Sequence, residues 1–81
     1  MRQLINATAQ LSEIMRGRRR VRRISQAELA TKLGISQGRF SVLEADPSSL
    51  PLDRLILLVK LLGLELVIQD KADEPASKAQ W

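Results

Sequence analysis

Eighty-one residues leave room for one small domain, and a chain of this length buries only about 60% of its unfolded surface. It has no cysteine and no histidine, which excludes disulfides, thiolate or imidazole metal sites and an imidazole base, so oligomerisation is the expected source of extra stability. Thirteen Lys/Arg stand against nine Asp/Glu, and the charge is uneven: residues 1–69 carry +5 and residues 70–81 carry −1, which points the folded part at a polyanion.

The amino terminus, "MRQLINATAQ", lacks the apolar core of a secretory signal, and no apolar run approaches the roughly 20 residues that span a bilayer. A soluble cytoplasmic protein is expected. Leu11, Ile14 and Met15 form an apolar stripe at helical spacing, so residues 8–20 are read as the first helix. That helix runs into "RGRRRVRR", six arginines within residues 16–23. Such a run serves as a nucleic-acid grip, a membrane-surface or localisation signal, or a helix end favoured by the dipole. The residues that follow decide.

Ser25 and Glu28 make S-x-x-E, the capping box that starts a helix. Leu29, Ala30 and Leu33 form its inward stripe, and Gly34 closes it in the left-handed conformation. One residue later Ser36 is the next N-cap candidate, and "SQGRFSVLE" reads as a short helix whose Phe40 and Leu43 point inward with Ile35. "ADPSSLP" is a turn-rich loop. "LDRLILLVKLLG" is an apolar helix closed by Gly63, and "LELVIQ", residues 64–69, alternates like a strand. On a helical wheel Leu55, Ile56, Leu58, Val59 and Leu62 face the core, while Leu57 and Leu61 fall on the opposite side. The last twelve residues, "DKADEPASKAQW", are polar and expected to stay disordered until bound. The domain is therefore drawn as residues 1–69 with a flexible tail, 70–81.

Two short helices joined by a tight glycine turn form a helix-turn-helix. Taking about 100° per residue, the outer face of its second helix centres on Gly38, Ser41 and Val42, flanked by Gln37 and Arg39. Small residues there let the backbone enter a groove, and the longer ones reach base edges. Gln bonds adenine, Arg bonds guanine and Val packs on a thymine methyl. Gly38 costs about 1 kcal/mol relative to Ala inside a helix, which close approach to a ligand explains.

"SQAELATKLGISQGRFSVLEAD" resembles the phage-repressor-like (XRE) helix-turn-helix family. The resemblance implies an all-α domain with base readout from Ser36, Gln37, Gly38, Arg39, Ser41 and Val42. It implies a phosphate contact from Gln26, at the start of the motif's first helix. It also implies that Arg19 pairs with Glu44 as a partly buried strut rather than touching DNA. Of the other arginines, Arg16, Arg20, Arg22 and Arg23 are expected to neutralise phosphate. Arg18 stands where the family usually has an aliphatic residue and Arg23 where it often has glycine, so the path of the intervening loop is left open.

Leu57 and Leu61, with Leu64, Leu66 and Ile68 of the strand pattern, are the expected dimer interface. A lone strand cannot satisfy its own backbone groups, and pairing with the same strand of a twofold mate solves this. Packing of residues 64–69 on their own domain is the alternative. A homodimer also places two recognition helices about 34 Å apart, which suits a palindromic operator. The helix-turn-helix, the dimerising "LLGLELVIQD" and the polar tail ending in Trp81 together resemble HipB-type antitoxins. These are the DNA-binding partners of HipA-type serine/threonine kinase toxins. The resemblance implies an autorepressor and antitoxin, bacterial and cytoplasmic, held at its operator on the nucleoid. Trp81 is either an anchor in a pocket of the kinase or an exposed terminus. Two other readings stay open: a plain XRE regulator without a toxin, and a helical module for protein contact alone. No enzyme, metal or cofactor is expected, since there is no Gly-rich phosphate loop and no cluster of carboxylates.

Overall fold

In the computed structural model, which describes residues 1–72, four α-helices and one 3-10 turn follow in sequence. They are α1 (Thr8–Val21), α2 (Gln26–Leu33), α3 (Gln37–Ala45), the turn Pro47–Ser49 and α4 (Leu52–Leu61). The acidic tail beyond residue 72, with Trp81, lies outside the described residues.

At α1, α2, α3 and the 3-10 turn a side chain accepts from N–H groups at the start, whereas α4 begins after Pro51 with no side-chain cap. Gln10 Oε1 accepts from the N–H groups of Asn6 and Ala7, at 2.6 and 2.9 Å, and starts α1. At α2, Ser25 Oγ accepts from Glu28 N–H at 3.0 Å, and Glu28 Oε1 reaches back to Ser25 N–H at 3.3 Å. Ser36 Oγ accepts from Arg39 N–H at 3.1 Å and starts α3. Asp46 Oδ1 accepts from Ser48 N–H at 3.2 Å and from its hydroxyl at 2.7 Å, which folds the 3-10 turn.

Three of the helices end alike. A residue with positive φ follows the last turn, and two N–H groups fold back onto orphan carbonyls. Gly34 (φ 74) does this after α2, with Ile35 N–H on Ala30 C=O at 3.0 Å. Gly63 (φ 73) does it after α4, with Leu64 N–H on Val59 C=O at 2.9 Å. After α1 the same place is held by Arg23, at φ 56, with Ile24 N–H on Arg19 C=O at 3.0 Å. This resolves the path of the loop: an arginine takes the conformation for which glycine is the default. A left-handed residue with a Cβ costs about 1–2 kcal/mol. Arg23→Gly is therefore expected to stabilise the fold by about 0.5–1 kcal/mol after glycine's own entropic cost, read as a rise in the thermal midpoint.

The helices close around Met15, Leu29, Ala30, Leu33, Phe40, Leu58 and Leu62, all buried. α2 packs on α3, α1 crosses α3 and the 3-10 turn, and α4 lies against α2. Leu11, Ile24, Ile35, Leu50, Leu61 and Leu64 pack around this cluster.

Two expectations for α4 change here. Leu61, assigned to an outer face, packs against the core, whereas Ile56, assigned inward, is exposed. The buried arc of α4 centres near Leu62. At about 100° per residue Leu61 is about 100° from that centre and Ile56 about 120°, so they sit on opposite flanks. The polar side of this helix is narrow, with only Asp53 and Lys60 opposite the buried arc, so tertiary packing decides between the flanks.

Leu64 likewise packs on its own domain, while Leu57, Leu66, Val67 and Ile68 face outward. Residues 64–69 form no regular element in the single chain. Among the described residues there is no second strand for them to pair with, and a strand needs a neighbour for its N–H and C=O groups.

Candidate nucleic-acid interface

α3 is short, and its two faces differ sharply. Phe40, Leu43 and Glu44 are buried, while Gln37, Gly38, Arg39, Ser41 and Val42 are exposed. Val42 is 65% exposed although it is apolar. No atom outside the helix approaches within 4 Å of the position a Cβ would take on Gly38. The outer face of α3 is thus open, low in relief near its centre and bordered by the long side chains of Gln37 and Arg39. Ser36 precedes it with its Oγ already accepting the cap hydrogen bond, so its O–H is what remains to donate outward.

Beneath this face lies a buried charge. The Glu44 side chain is 1% exposed, and Arg19 embraces it with two hydrogen bonds, Nε to Oε2 at 2.8 Å and Nη2 to Oε1 at 3.2 Å. Gln26 Nε2 donates to Oε1 at 3.0 Å, and Arg16 Nε lies 3.7 Å from the same oxygen. Burial pushes the Glu44 pKa up, but the hydrogen bonds from Arg19 and Gln26 and the charges of Arg19 and Arg16 outweigh it, and the pKa is lowered. Arg19 Nη1 also donates to Ile24 C=O at 3.2 Å, and Ser12 Oγ donates to Glu44 C=O. One carboxylate therefore ties α1, the start of α2 and the end of α3 into a single block.

The arginine run divides by destination. Arg19 and Arg16 face Glu44, and Arg20 is exposed. Arg18 and Arg22 turn instead to the carboxyl end of α4, and Arg23 makes the left-handed turn. Gln26, the first residue of α2, is half-buried, and its Nε2 donates to Glu44.

Sequence reasoning gave no role to Ser12 or Arg54 and did not place Arg18 at the end of α4. Ser12 continues the Leu11–Met15 stripe at helical spacing, which was the available signal. Arg54 Nη1 donates to Leu33 C=O at 2.6 Å and so caps α2 from α4; sequence separation hid it. Among the described residues no cluster of three metal-ligating side chains is present, and no helix is long and apolar enough to cross a membrane.

A helix-turn-helix family model matches residues 15–69. No curated protein matches the chain. Among solved structures, a HipB–O1–O2 complex superposes with a TM-score of 0.74 at 30% identity, covering 85% of this chain and 100% of that one. A HipA–HipB–O2–O3 complex gives a TM-score of 0.74 at 30% identity, covering 85% and 97%. A variant HipB–O2 complex gives 0.75 at 31% identity, covering 86% and 97%.

Proposed function

The chain belongs to the helix-turn-helix family and is of the XRE, HipB type, and from that premise we propose that it is an operator-binding autorepressor and antitoxin that acts as a homodimer and captures a HipA-type kinase. The carrying observation is the open outer face of α3, set rigidly on the Glu44 block. Gln37 and Arg39 are the base-reading side chains, Ser36 and Ser41 donate hydroxyl hydrogen bonds, Val42 packs on a thymine methyl, and Gly38 admits the backbone to the major groove. Gln26 stands at the α2 N-terminus, whose free N–H groups donate to a phosphate, while its side-chain Nε2 donates to Glu44. Arg16, Arg20 and Arg23 neutralise further phosphates; Arg22 is set apart because its guanidinium lies over Gly63.

The relatives captured with O1, O2 and O3 and with HipA support both partners for this chain. The test is binding to the DNA upstream of its own gene, measured over a salt series. Affinity should fall steeply and linearly on logarithmic axes, and a scrambled duplex of equal length should bind at least about 10³-fold more weakly. Equal affinity for both duplexes would overturn sequence-specific repression. Arg39→Ala is expected to cost about 1–3 kcal/mol on the operator and nearly nothing on the scrambled duplex.

Capture of the toxin is tested by co-purification with the neighbouring kinase, and the tail by removing Trp81. Loss of toxin affinity on that deletion marks the tryptophan as an anchor, whereas unchanged affinity assigns the contact to the body of the dimer. A plain regulator would bind operator and retain no kinase.

A further inference from the structure

The arginine run contains a feature that operator recognition does not require. Arg18 Nε donates to Leu62 C=O at 3.2 Å, across 44 residues of sequence. Arg22 lies over the next residue: a Cβ on Gly63 would come within 2.2 Å of Arg22 Nη1 and 3.1 Å of its Cζ. Arg18 Nη2 would be 3.8 Å from the same point. Two guanidinium groups, Arg18 from the last turn of α1 and Arg22 from the residue that follows it, therefore converge on the carboxyl end of α4, where carbonyls lack helical partners and the dipole is negative. Gly63 is required twice there, by its φ of 73 and by the space its missing side chain leaves for Arg22.

From this convergence we infer that Arg18 and Arg22 are positioning residues that clamp the end of α4 to α1 and thereby fix the direction in which residues 64–69 leave the domain. The inference rests on the proposed dimer and DNA binding, because the direction of that segment sets how two copies meet and how far apart their α3 helices stand. It gives the basic run two functions. Arg20 and Arg23, with Arg16 where it is not engaged by Glu44, serve phosphate in the proposed complex, while Arg18 and Arg22 hold the dimerising segment.

The experiment uses the full chain and four variants, Arg18→Met, Arg22→Met, Arg18→Lys and Arg22→Lys. Methionine keeps the stem, and lysine keeps the charge without the planar fork. Three readouts are taken: the salt slope of duplex binding, self-association by sedimentation, and hydrogen exchange of the Leu64 amide. The clamp predicts that all four variants keep the wild-type salt slope. It also predicts that Leu64 exchange accelerates about tenfold as its turn loosens, and that dimer dissociation rises in parallel. Phosphate contacts would behave otherwise: each methionine variant would lower the slope by about 0.9, each lysine variant would retain it, and Leu64 exchange would not move. That result overturns the clamp. A wild-type chain that stays monomeric or ignores DNA removes the proposed function instead, and the exchange of Leu64 alone then decides the clamp, unchanged protection in the variants rejecting it.

Discussion

Glu44→Ala is expected to lower the stability of the fold by about 3 kcal/mol, the low end for removing one partner of a buried ion pair. In a chain of this size that is a fall of roughly 15 °C in the thermal midpoint. The loss has three sources. Arg19, with a side chain only 14% exposed, keeps its charge but loses the carboxylate that held it. Gln26 Nε2 loses its acceptor, and the link between α1, α2 and α3 is cut. Operator affinity measured well below the new midpoint should fall much less, because Glu44 faces inward and touches no groove. A variant with wild-type thermal stability and abolished DNA binding would make Glu44 part of the binding surface instead.

The pairing can be separated from burial. Arg19→Met with Glu44→Met removes both charges and leaves apolar volume, so the double variant should be more stable than either single one. Acid provides a second route. The folded-state pKa of Glu44 is lowered, so the carboxylate contributes stability that is fully present above the unfolded value of about 4.3. That contribution disappears as the pH falls through the folded-state value. Wild type should lose stability steeply below about pH 4.3, and Glu44→Gln, less stable at neutral pH, should show a flatter acid limb in denaturant titrations. Parallel acid limbs would mean that another carboxylate governs the acid response.

The starts of α2 and α3 and the ends of α2 and α4 were legible because those signals are local. Ser25 with Glu28, Gly34, Ser36 and Gly63 act within four residues of themselves, and the structure finds each in that role. The destinations of long side chains were not legible. Nothing near Arg18 or Arg22 in sequence says that the end of α4 will pass within their reach, and nothing near Arg54 reveals the carbonyl of Leu33. The rotation of α4 failed for a related reason. With apolar residues nearly all round, its inner face is chosen by what the other helices leave uncovered, so Leu61 and Ile56 exchanged places. Arg23 shows a third limit. Glycine signals a left-handed turn, but the turn forms without it when the flanking helices demand one. For the outer face of α3, Gln37, Gly38, Arg39, Ser41 and Val42 could be read together because two inward residues, Phe40 and Leu43, fix the phase of a short helix.

The second large effect is expected from Leu66→Asp combined with Ile68→Asp: a monomer at micromolar concentration and an operator affinity lower by about 10²–10⁴. In the single chain Leu66 is 53% and Ile68 98% exposed, and Leu66 lines a groove with Ile56, Val59, Lys60, Leu64, Glu65 and Val67. Residues two apart on a strand share a face, so pairing of 64–69 with its twofold copy would bury Leu66 and Ile68 together. Four such side chains, two from each copy, expose about three side chains' worth of apolar surface and supply about 5–9 kcal/mol when fully buried. That is the same order as the translational and rotational freedom lost on association, about 4–15 kcal/mol, so these residues decide whether the dimer forms. Neither belongs to the buried cluster of the domain, and the thermal midpoint of the monomer should remain close to that of an isolated wild-type fold. Aspartate places like charges opposite one another across the twofold, where they repel. In the proposed complex the two losses must also move together, because one α3 helix would read only half of a palindrome and the partner would supply the second half at high effective concentration. A variant still dimeric in sedimentation and still tight on its operator would remove Leu66 and Ile68 from the interface. A monomeric variant that binds as tightly as wild type would show that a single α3 suffices, and the twofold would then serve stability alone.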